Sequence, residues 1–333
     1  MSGGGEEKKK IVCVTGGSGF IGSWLVRVLL YRGYTVHATV QNLNDEKETK
    51  HLLALEEEQE ESKPGHRLRI FEIDLLNYDS LIAAIDGSSG VFHVASPCIV
   101  DRVHDPEKQL LQPAIQGTLN VLKAAKESGV KRVVVTSSIS ALTPSPDWPA
   151  DVVKREDCWT DVEYCKRNEL WYPISKTMAE KAAWEFAKDT GLDIVVINPG
   201  TVMGPILPPS VNASMLMLIR LLEGCSEEYK DFYMGPVHVK DVALAHILLY
   251  ENSSASGRHL CVEAIRHYSD FAAKVAELYP EYKVPRLPKD TQPGLLRAED
   301  GSKKLIDLGL HFTSIEEIIK DSMESLKSRG YIS

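Results

Sequence analysis

The chain contains no apolar run of the ~18 residues that a membrane-spanning helix requires. Residues 1–10 are rich in Gly, Glu and Lys and lack the apolar stretch of a signal peptide. They read as a short disordered lead-in, and cytoplasmic residence is the expectation. Basic clusters are also missing from the helical patterns, and the net charge is −9. That balance argues against nucleic acid and anionic membranes as partners. The six cysteines, Cys13, Cys98, Cys158, Cys165, Cys225 and Cys261, form no C-x-x-C motif, and none stands at metal-ligand spacing from a histidine, so no metal site is expected. Cys158 and Cys165 are close enough for a redox pair, whereas a reducing compartment would keep them as unlinked thiols. Cys13 lies in an apolar run and reads as a small buried hydrophobe. The glycosylation sequons at Asn212 and Asn252 carry no meaning in a cytosolic chain. Internal repeats are absent, and the one biased segment is an acidic stretch at 45–62. Leu52, Leu53 and Leu55 interrupt it, which predicts a solvated helix rather than a tail.

What is present begins with Ile-Val-Cys-Val-Thr-Gly-Gly-Ser-Gly-Phe-Ile-Gly at 11–22. A short buried strand, Ile11–Thr15, runs into a turn with Gly16, Gly19 and Gly22, and an apolar helical pattern opens at Phe20. Strand, glycine turn and helix N-terminus together suit a dinucleotide pyrophosphate: the glycines let the backbone approach, and the helix start offers free N–H groups and a positive dipole end. The spacing is G-x-x-G-x-x-G, a variant of the commoner G-x-G-x-x-G.

Further Val- and Ile-rich strands are predicted at Thr35–Val40, 68–73, 91–94, Arg132–Thr136 and 194–198, each followed by a helical pattern. The repeated βα units predict an α/β fold: a Rossmann-type doubly wound parallel sheet with ligands at the carboxyl ends of its strands. After residue 199 the pattern changes. Pro199, Gly200, Gly204, Pro205, Pro208 and Pro209 cluster; a helix is predicted at 213–223, a strand or turn at 237–239, a helix at 241–250, a strand at 259–263, and helices at 269–278 and 314–329. The expected division is a dinucleotide-binding domain at 11–199, to which 237–263 returns, and a smaller C-terminal α/β substrate lobe at 200–236 and 264–333.

Tyr172 and Lys176, in Tyr-Pro-Ile-Ser-Lys, lie four residues apart and so share one helix face. An ammonium beside a phenol favours the phenolate, which suits the phenol to proton transfer near neutral pH. Thr136-Ser137-Ser138 ends the fifth strand and places hydroxyls at the carboxyl edge of the sheet, where Ser138 can hydrogen-bond a carbonyl oxygen. His93 and His238 have no metal partner nearby in sequence and read as structural.

On these residues the chain resembles the extended short-chain dehydrogenases/reductases. More narrowly it is similar to the plant branch that holds dihydroflavonol reductases, cinnamoyl-CoA reductases and short-chain cinnamyl alcohol dehydrogenases. The resemblance runs from about residue 10 to the C-terminus. It rests on the glycine turn at 14–26, Gly-Val-Phe-His-Val-Ala-Ser-Pro at 90–97, Val-Val-Thr-Ser-Ser at 134–138, Trp-Tyr-Pro-Ile-Ser-Lys at 171–176, Ala-Glu-Lys-Ala-Ala-Trp at 179–184 and Val-His-Val-Lys-Asp-Val-Ala-Leu-Ala-His at 237–246. It implies a catalytic trio: Tyr172 donates a proton to the carbonyl oxygen, Ser138 holds that oxygen, and Lys176 assists the tyrosine and binds the nicotinamide ribose. It implies cofactor contacts at Gly16, Ser18, Gly19, Phe20, Ile21, Gln41, Lys47, Asp74, Leu75, Val94, Ala95, Ser96, Thr136, Tyr172, Lys176, Pro199, Gly200, Thr201 and Val202. Substrate contacts are expected from Pro97, Ile139, Met203, Met217 and Arg220.

Departures from the branch bear on cofactor and substrate. Gln41 stands where the branch has Arg, and no acid ends the second strand; Lys47 matches a lysine that meets the NADP phosphate, with Lys50 and Arg32 as possible helpers, so NADP(H) is favoured over NAD(H). Cinnamoyl-CoA reductases carry Asn and Cys where this chain has Leu170 and Pro173. They also carry a His and a Lys, associated with the thioester, where Met217 and Arg220 stand; Arg258, the third position of that set, is kept. Met203, Met215, Leu216 and Met217 either make the pocket mouth apolar or pack the substrate lobe. The expected function is therefore NADP(H)-dependent reduction of aromatic, phenylpropanoid-type aldehydes to alcohols, by a monomer or homodimer acting on small molecules. Alternatives are a cinnamoyl-CoA reductase or a dihydroflavonol-type ketone reductase. A different class is an NADP(H)-binding sensor or scaffold without turnover. Nothing suggests the uridine site of a nucleotide-sugar epimerase.

Overall fold

The computed structural model describes residues 10–60, 65–97, 104–149, 152, 154–225, 233–287 and 301–333. The lead-in at 1–9, Lys63, Pro64 and Cys98 lie outside the described residues. In chain order the first half contains β1 (Ile11–Thr15), α1 (Phe20–Tyr31), β2 (Thr35–Val40), α2 (Glu46–Glu60), β3 (Leu68–Glu72), α3 (Tyr78–Ile85), β4 (Gly90–His93), α4 (Gln112–Glu127), β5 (Arg132–Thr136), α5 (Val162–Arg167), α6 (Trp171–Thr190) and β6 (Ile194–Pro199). The second contains β7 (Thr201–Met203), α7 (Ala213–Leu222), β8 (Tyr233–Met234), β9 (Pro236–His238), α8 (Val239–Glu251), β10 (Gly257–Cys261), β11 (Arg266–His267), α9 (Tyr268–Leu278), α10 (Lys303–Asp307) and α11 (Ile315–Ser328).

Seven parallel strands form one sheet in the order β10-β6-β5-β4-β1-β2-β3. The chain moves outward from β1 to β3, then crosses back to β4 and continues the other way. β1 and β4 therefore flank the point where strand order reverses, and a crevice opens there beyond their carboxyl ends. Helices cover both faces, so β1, β2, β4, β5 and β6 are buried almost throughout and consist largely of Val, Ile and Thr. Val12, Val14, Leu25, Leu29, Val36 and Phe92 pack one face with α1 and α8; Val91, Val121, Leu122, Val133 and Val196 pack the other with α3, α4 and α6.

Local chemistry sets the helix ends. Asn77 caps α3 by accepting the Ser80 N–H, Ser314 and Glu317 form a capping box on α11, and Gly191 ends α6 in the left-handed region at φ 68°. Glu56 on α2 accepts the N–H groups of Arg67 and Leu68 at 2.8 and 2.9 Å, tying the acidic helix to the edge strand β3. Residues 236–238 pair with β7 in a separate two-stranded sheet, whereas 257–261 joins the main sheet beside β6. β10 thus lies two residues earlier than the expected 259–263. The chain leaves the ladder at Val262, whose N–H donates to Ser302 Oγ at 2.7 Å.

Candidate active site

The glycine turn is built by close contacts that no side chain could enter. Gly16 has φ 68°, and a Cβ at Gly22 would lie 2.0 Å from the Gly16 carbonyl oxygen. Gly16 N–H donates to Thr39 Oγ1 (3.0 Å) and Gly17 N–H to Thr39 O (2.9 Å), which pins the turn to the end of β2. No side chain caps α1. An uncapped helix start that opens on a cavity, floored by glycines, fits the pyrophosphate of a dinucleotide.

That cavity measures about 980 Å³. It runs from the glycine turn, past the ends of β2, β3 and β4, to Ser138, Tyr172, Pro199 and the start of α7. Its walls include Gly16, Ser18, Gly19, Phe20, Ile21, Gln41, Asp74, Leu75, Val94, Ala95, Ser96, Pro97, Pro199, Gly200 and Val202, all named from the sequence. Lys47 and Thr201 do not line it. Lys176 and Thr136 line a separate cavity of about 10 Å³ that they share with His93, Ser96, Ser137 and Glu180.

Around the hydroxyls the geometry is ordered. Ser138 is extended at the end of β5, and its Oγ accepts the Ser140 N–H at 3.1 Å, so its own proton is directed elsewhere. Tyr172 is the second residue of α6. Pro173 fits there because first-turn N–H groups have no helical acceptor to lose. Lys176 is buried and donates to the Thr136 carbonyl at 3.1 Å.

Two neutral histidines brace these walls. Thr15 Oγ1 accepts the N–H groups of Val94 and Ala95, both at 3.1 Å, so it donates to His93 Nδ1 at 2.9 Å. The other ring nitrogen, Nε2, then donates to Thr118 Oγ1 at 3.1 Å. Burial, followed by the Lys176 ammonium, lowers His93 to about 3. His246 donates from Nδ1 to Val242 O and accepts the Thr136 hydroxyl at Nε2, both at 2.7 Å; burial lowers it to about 4. His238 caps α8 through Nδ1, which accepts the Lys240 N–H, and its Nε2 meets Asp321 at 3.2 Å.

Behind Ser138 lies a buried ion pair. Glu180 Oε1 accepts from Arg258 Nε at 2.5 Å, while Oε2 accepts Ser137 Oγ at 2.5 Å and Asn198 Nδ2 at 2.9 Å. Asn198 Nδ2 also donates to the Ser138 carbonyl at 3.2 Å. Arg258 stacks on Trp159, 3.7 Å from its ring centroid, and donates to the carbonyls of Ala141, Glu156 and Cys158. Arg258 does not line the main cavity.

Of the expected substrate contacts, Pro97 lines the cavity and the others lie elsewhere. Met203 and Met217 are buried in the main core with Met215, and neither lines the cavity. Their apolar side chains are drawn into the packing of α7 against β7 rather than toward the cleft. Ile139 packs on Leu142, Leu260 and Val262, and neither it nor Arg220 lines the cavity. The walls there come instead from Pro113, Ser137, Asn212, Ala213 and Ser214. Glu48 is the residue sequence reasoning missed. It reaches back from α2 to the end of β2, where its Oε2 accepts the Gln41 N–H at 2.7 Å and Ser18 Oγ at 3.3 Å. Cys158 and Cys165 carry free thiols, each raised by burial, Cys165 to about 11. Among the described residues no group of three His, Cys, Asp or Glu could hold a metal ion, and no helix is long and apolar enough to cross a membrane.

Comparison with known proteins gives this architecture relatives. The family model described as "NAD dependent epimerase/dehydratase family" matches residues 12–262. Cinnamoyl-CoA reductase 1 of Petunia hybrida is 45% identical over 324 residues, covering 97% of this chain and 94% of that protein. Among solved structures, vestitone reductase from alfalfa (Medicago sativa) superposes with a TM-score of 0.82 at 34% identity, covering 97% of this chain and 100% of that one. The yeast methylglyoxal/isovaleraldehyde reductase Gre2, solved in complex with NADPH, gives 0.79 at 26% identity, again over 97% and 100%.

Proposed function

The chain belongs to the NAD dependent epimerase/dehydratase family, in the cinnamoyl-CoA and dihydroflavonol reductase branch of the extended short-chain dehydrogenases/reductases, and from that membership we propose that it reduces the carbonyl of an aromatic, phenylpropanoid-type substrate. It is an NAD(P)-dependent oxidoreductase, and NADP(H) is its preferred cofactor. The observation that carries the reading is one continuous cavity with an uncapped glycine turn at one end and Ser138 and Tyr172 at the other.

When bound, NADPH supplies the hydride for the carbonyl carbon. The chain's own residues would do the rest. Gly16, Gly19 and the start of α1 hold the pyrophosphate. Ser138, whose oxygen already accepts the Ser140 N–H, donates its hydroxyl proton as a hydrogen bond to the substrate oxygen. Tyr172 transfers its proton to that same oxygen as negative charge develops there. Lys176, anchored on the Thr136 carbonyl, stabilises the phenolate left behind and reaches the ribose hydroxyls.

Likeness over nearly the whole chain to a cinnamoyl-CoA reductase supports an aromatic CoA thioester as the first substrate; there the protonated hydride adduct, a hemithioacetal, would break its C–S bond to leave the aldehyde and free CoA thiol. A second reading, an aromatic aldehyde, draws on Met217: it stands where the thioester reductases have histidine, and it is buried. The purified protein, NADPH and equal concentrations of cinnamoyl-CoA or cinnamaldehyde separate the two. Higher kcat/KM on the thioester supports the first reading, and higher kcat/KM on the aldehyde selects the second. No turnover on any aromatic aldehyde, ketone or CoA ester would sink both, leaving a cofactor-binding protein without turnover.

A further inference from the structure

The end of the cavity between β2 and α2 has a charge pattern unlike one built only for a phosphate. Among the described residues, the charged side chains that line the cavity are Glu48 and Asp74, both acids; no lysine or arginine lines it. Lys47, the expected phosphate partner, is exposed outside the lining. Two backbone donors just past β2 are already engaged. Gln41 N–H donates to Glu48 Oε2 at 2.7 Å, and Leu43 N–H to Glu72 Oε2 at 2.9 Å. Ser18, from the glycine turn, donates to the same Glu48 oxygen. One carboxylate oxygen thus bridges the tip of β2 and the pyrophosphate turn, between which the adenosine ribose of a dinucleotide lies in this fold. The second oxygen, Oε1, takes part in neither bond.

We propose that Glu48 reads the 2′ position of the adenosine ribose. Its carboxylate accepts a hydrogen bond from a 2′-hydroxyl and repels a 2′-phosphate. It therefore narrows the preference for NADP(H) and lets the chain hold NAD(H) as well. This inference rests on the dinucleotide reading of the cavity. An acid at this place has the effect usually supplied by an acid at the end of the second strand itself; here it arrives from the following helix, and the residue after the strand is the neutral Gln41. A carboxylate close to a phosphate of nearly two charges disfavours its binding by about tenfold or more in a partly solvated site.

Equilibrium titration of the cofactor-free protein with NADPH and with NADH, followed by fluorescence or calorimetry, measures the effect without turnover. Glu48→Gln keeps an oxygen acceptor for Gln41 and Ser18, so the turn retains its bonds. The variant is expected to bind NADPH about tenfold tighter and NADH equally or a few-fold more weakly. A converse measurement needs no variant: in the wild-type protein 2′,5′-ADP should bind no more than about tenfold tighter than 5′-AMP. An unchanged ratio of NADPH to NADH affinities in Glu48→Gln overturns the proposal, as does a wild-type 2′,5′-ADP advantage of more than about tenfold. If neither dinucleotide binds any of the proteins, the cofactor reading fails together with the proposal.

Discussion

Replacing Arg258 by leucine should cost the protein about 3–5 kcal/mol of stability, because it strands Glu180 as an unpaired buried charge. The Glu180 side chain is fully buried, and that of Arg258 is 8% exposed. Arg258 also donates to the carbonyls of Glu156 and Cys158, so the variant removes a buried donor from both at once; the Ala141 carbonyl, its third acceptor, keeps the Thr160 N–H. At about 2 °C per kcal/mol for a chain of this length, the melting temperature should fall by about 6–10 °C. Glu180→Leu combined with Arg258→Met removes both charges and should recover a large part of the loss. Denaturant unfolding of the wild-type, single and double variants, with KM measured on each, gives the test. The resemblance to thioester reductases makes a competing forecast: an arginine that meets CoA would raise KM for the thioester and leave unfolding unchanged. Unfolding of Arg258→Leu at the wild-type denaturant midpoint, with a raised thioester KM, would refute the burial argument.

Tyr172→Phe should lower kcat by about 10²–10⁴-fold while NADPH binds within about twofold of wild type; a parental rate would dismiss Tyr172 as the proton donor. Gly22→Ala forces a Cβ to within 2.0 Å of the Gly16 carbonyl, so the turn must open. Cofactor affinity should be lost, with about 1–3 kcal/mol of stability, and a normal NADPH titration would contradict the tight turn. Acid stability follows from the buried histidines. Folded His93 and His246 titrate at about 3 and about 4, against 6.5 for the free side chain. Below pH 6.5 the unfolded chain takes up protons that the native protein refuses, so stability is present above that pH and falls as pH drops toward 4. Each histidine contributes a slope of about 1.4 kcal/mol per pH unit. His246→Gln should remove one such slope in unfolding titrations at pH 4–6; an unchanged slope would mean that His246 does not stay neutral in the fold.

Strands buried on both faces are the easiest elements to read, because burial demands a continuous Val/Ile run. The bounds expected for β1, β2 and β5 from such runs coincide with those in the structure. Short elements leave no such trace. Five residues of α10 and six of α5 are too few to establish a helical period. A strand or turn was expected at 237–239, one residue later than the strand observed at 236–238, and its partner was not visible. It pairs with Thr201–Met203, a segment that the sequence presents only as part of a Pro/Gly-rich connection. Arg258 shows the same limit at a single residue: the resemblance places it with the thioester, while Glu180 and Trp159, 78 and 99 positions away, hold it in the interior.

Within the site, what was legible shares one property, namely that the partners are fixed by a single element or its immediate continuation. Gly16, Gly19 and Gly22 lie on one strand-turn-helix, and Tyr172 and Lys176 on one turn of α6. Ser138 follows by two residues the end of the strand whose last residue, Thr136, anchors that lysine. Glu48 breaks the property. Its two partners are 7 and 30 residues away, just past β2 and on the glycine turn, and a helix that returns over a strand end brings them together. A reading that inspects only the end of β2 finds Gln41 and concludes that no acid is present. The chain has instead moved the acid to the third residue of α2, where the helix N-terminus stabilises negative charge and two donors orient it. Its effect on the ribose is then set by helix placement. A substitution that tilts α2, such as Glu56→Ala at its tie to β3, should alter the ratio of NADH to NADPH affinities without touching a cofactor-lining residue. If that ratio stayed at the wild-type value while the tie was lost, the carboxylate would be held by Gln41 and Ser18 alone.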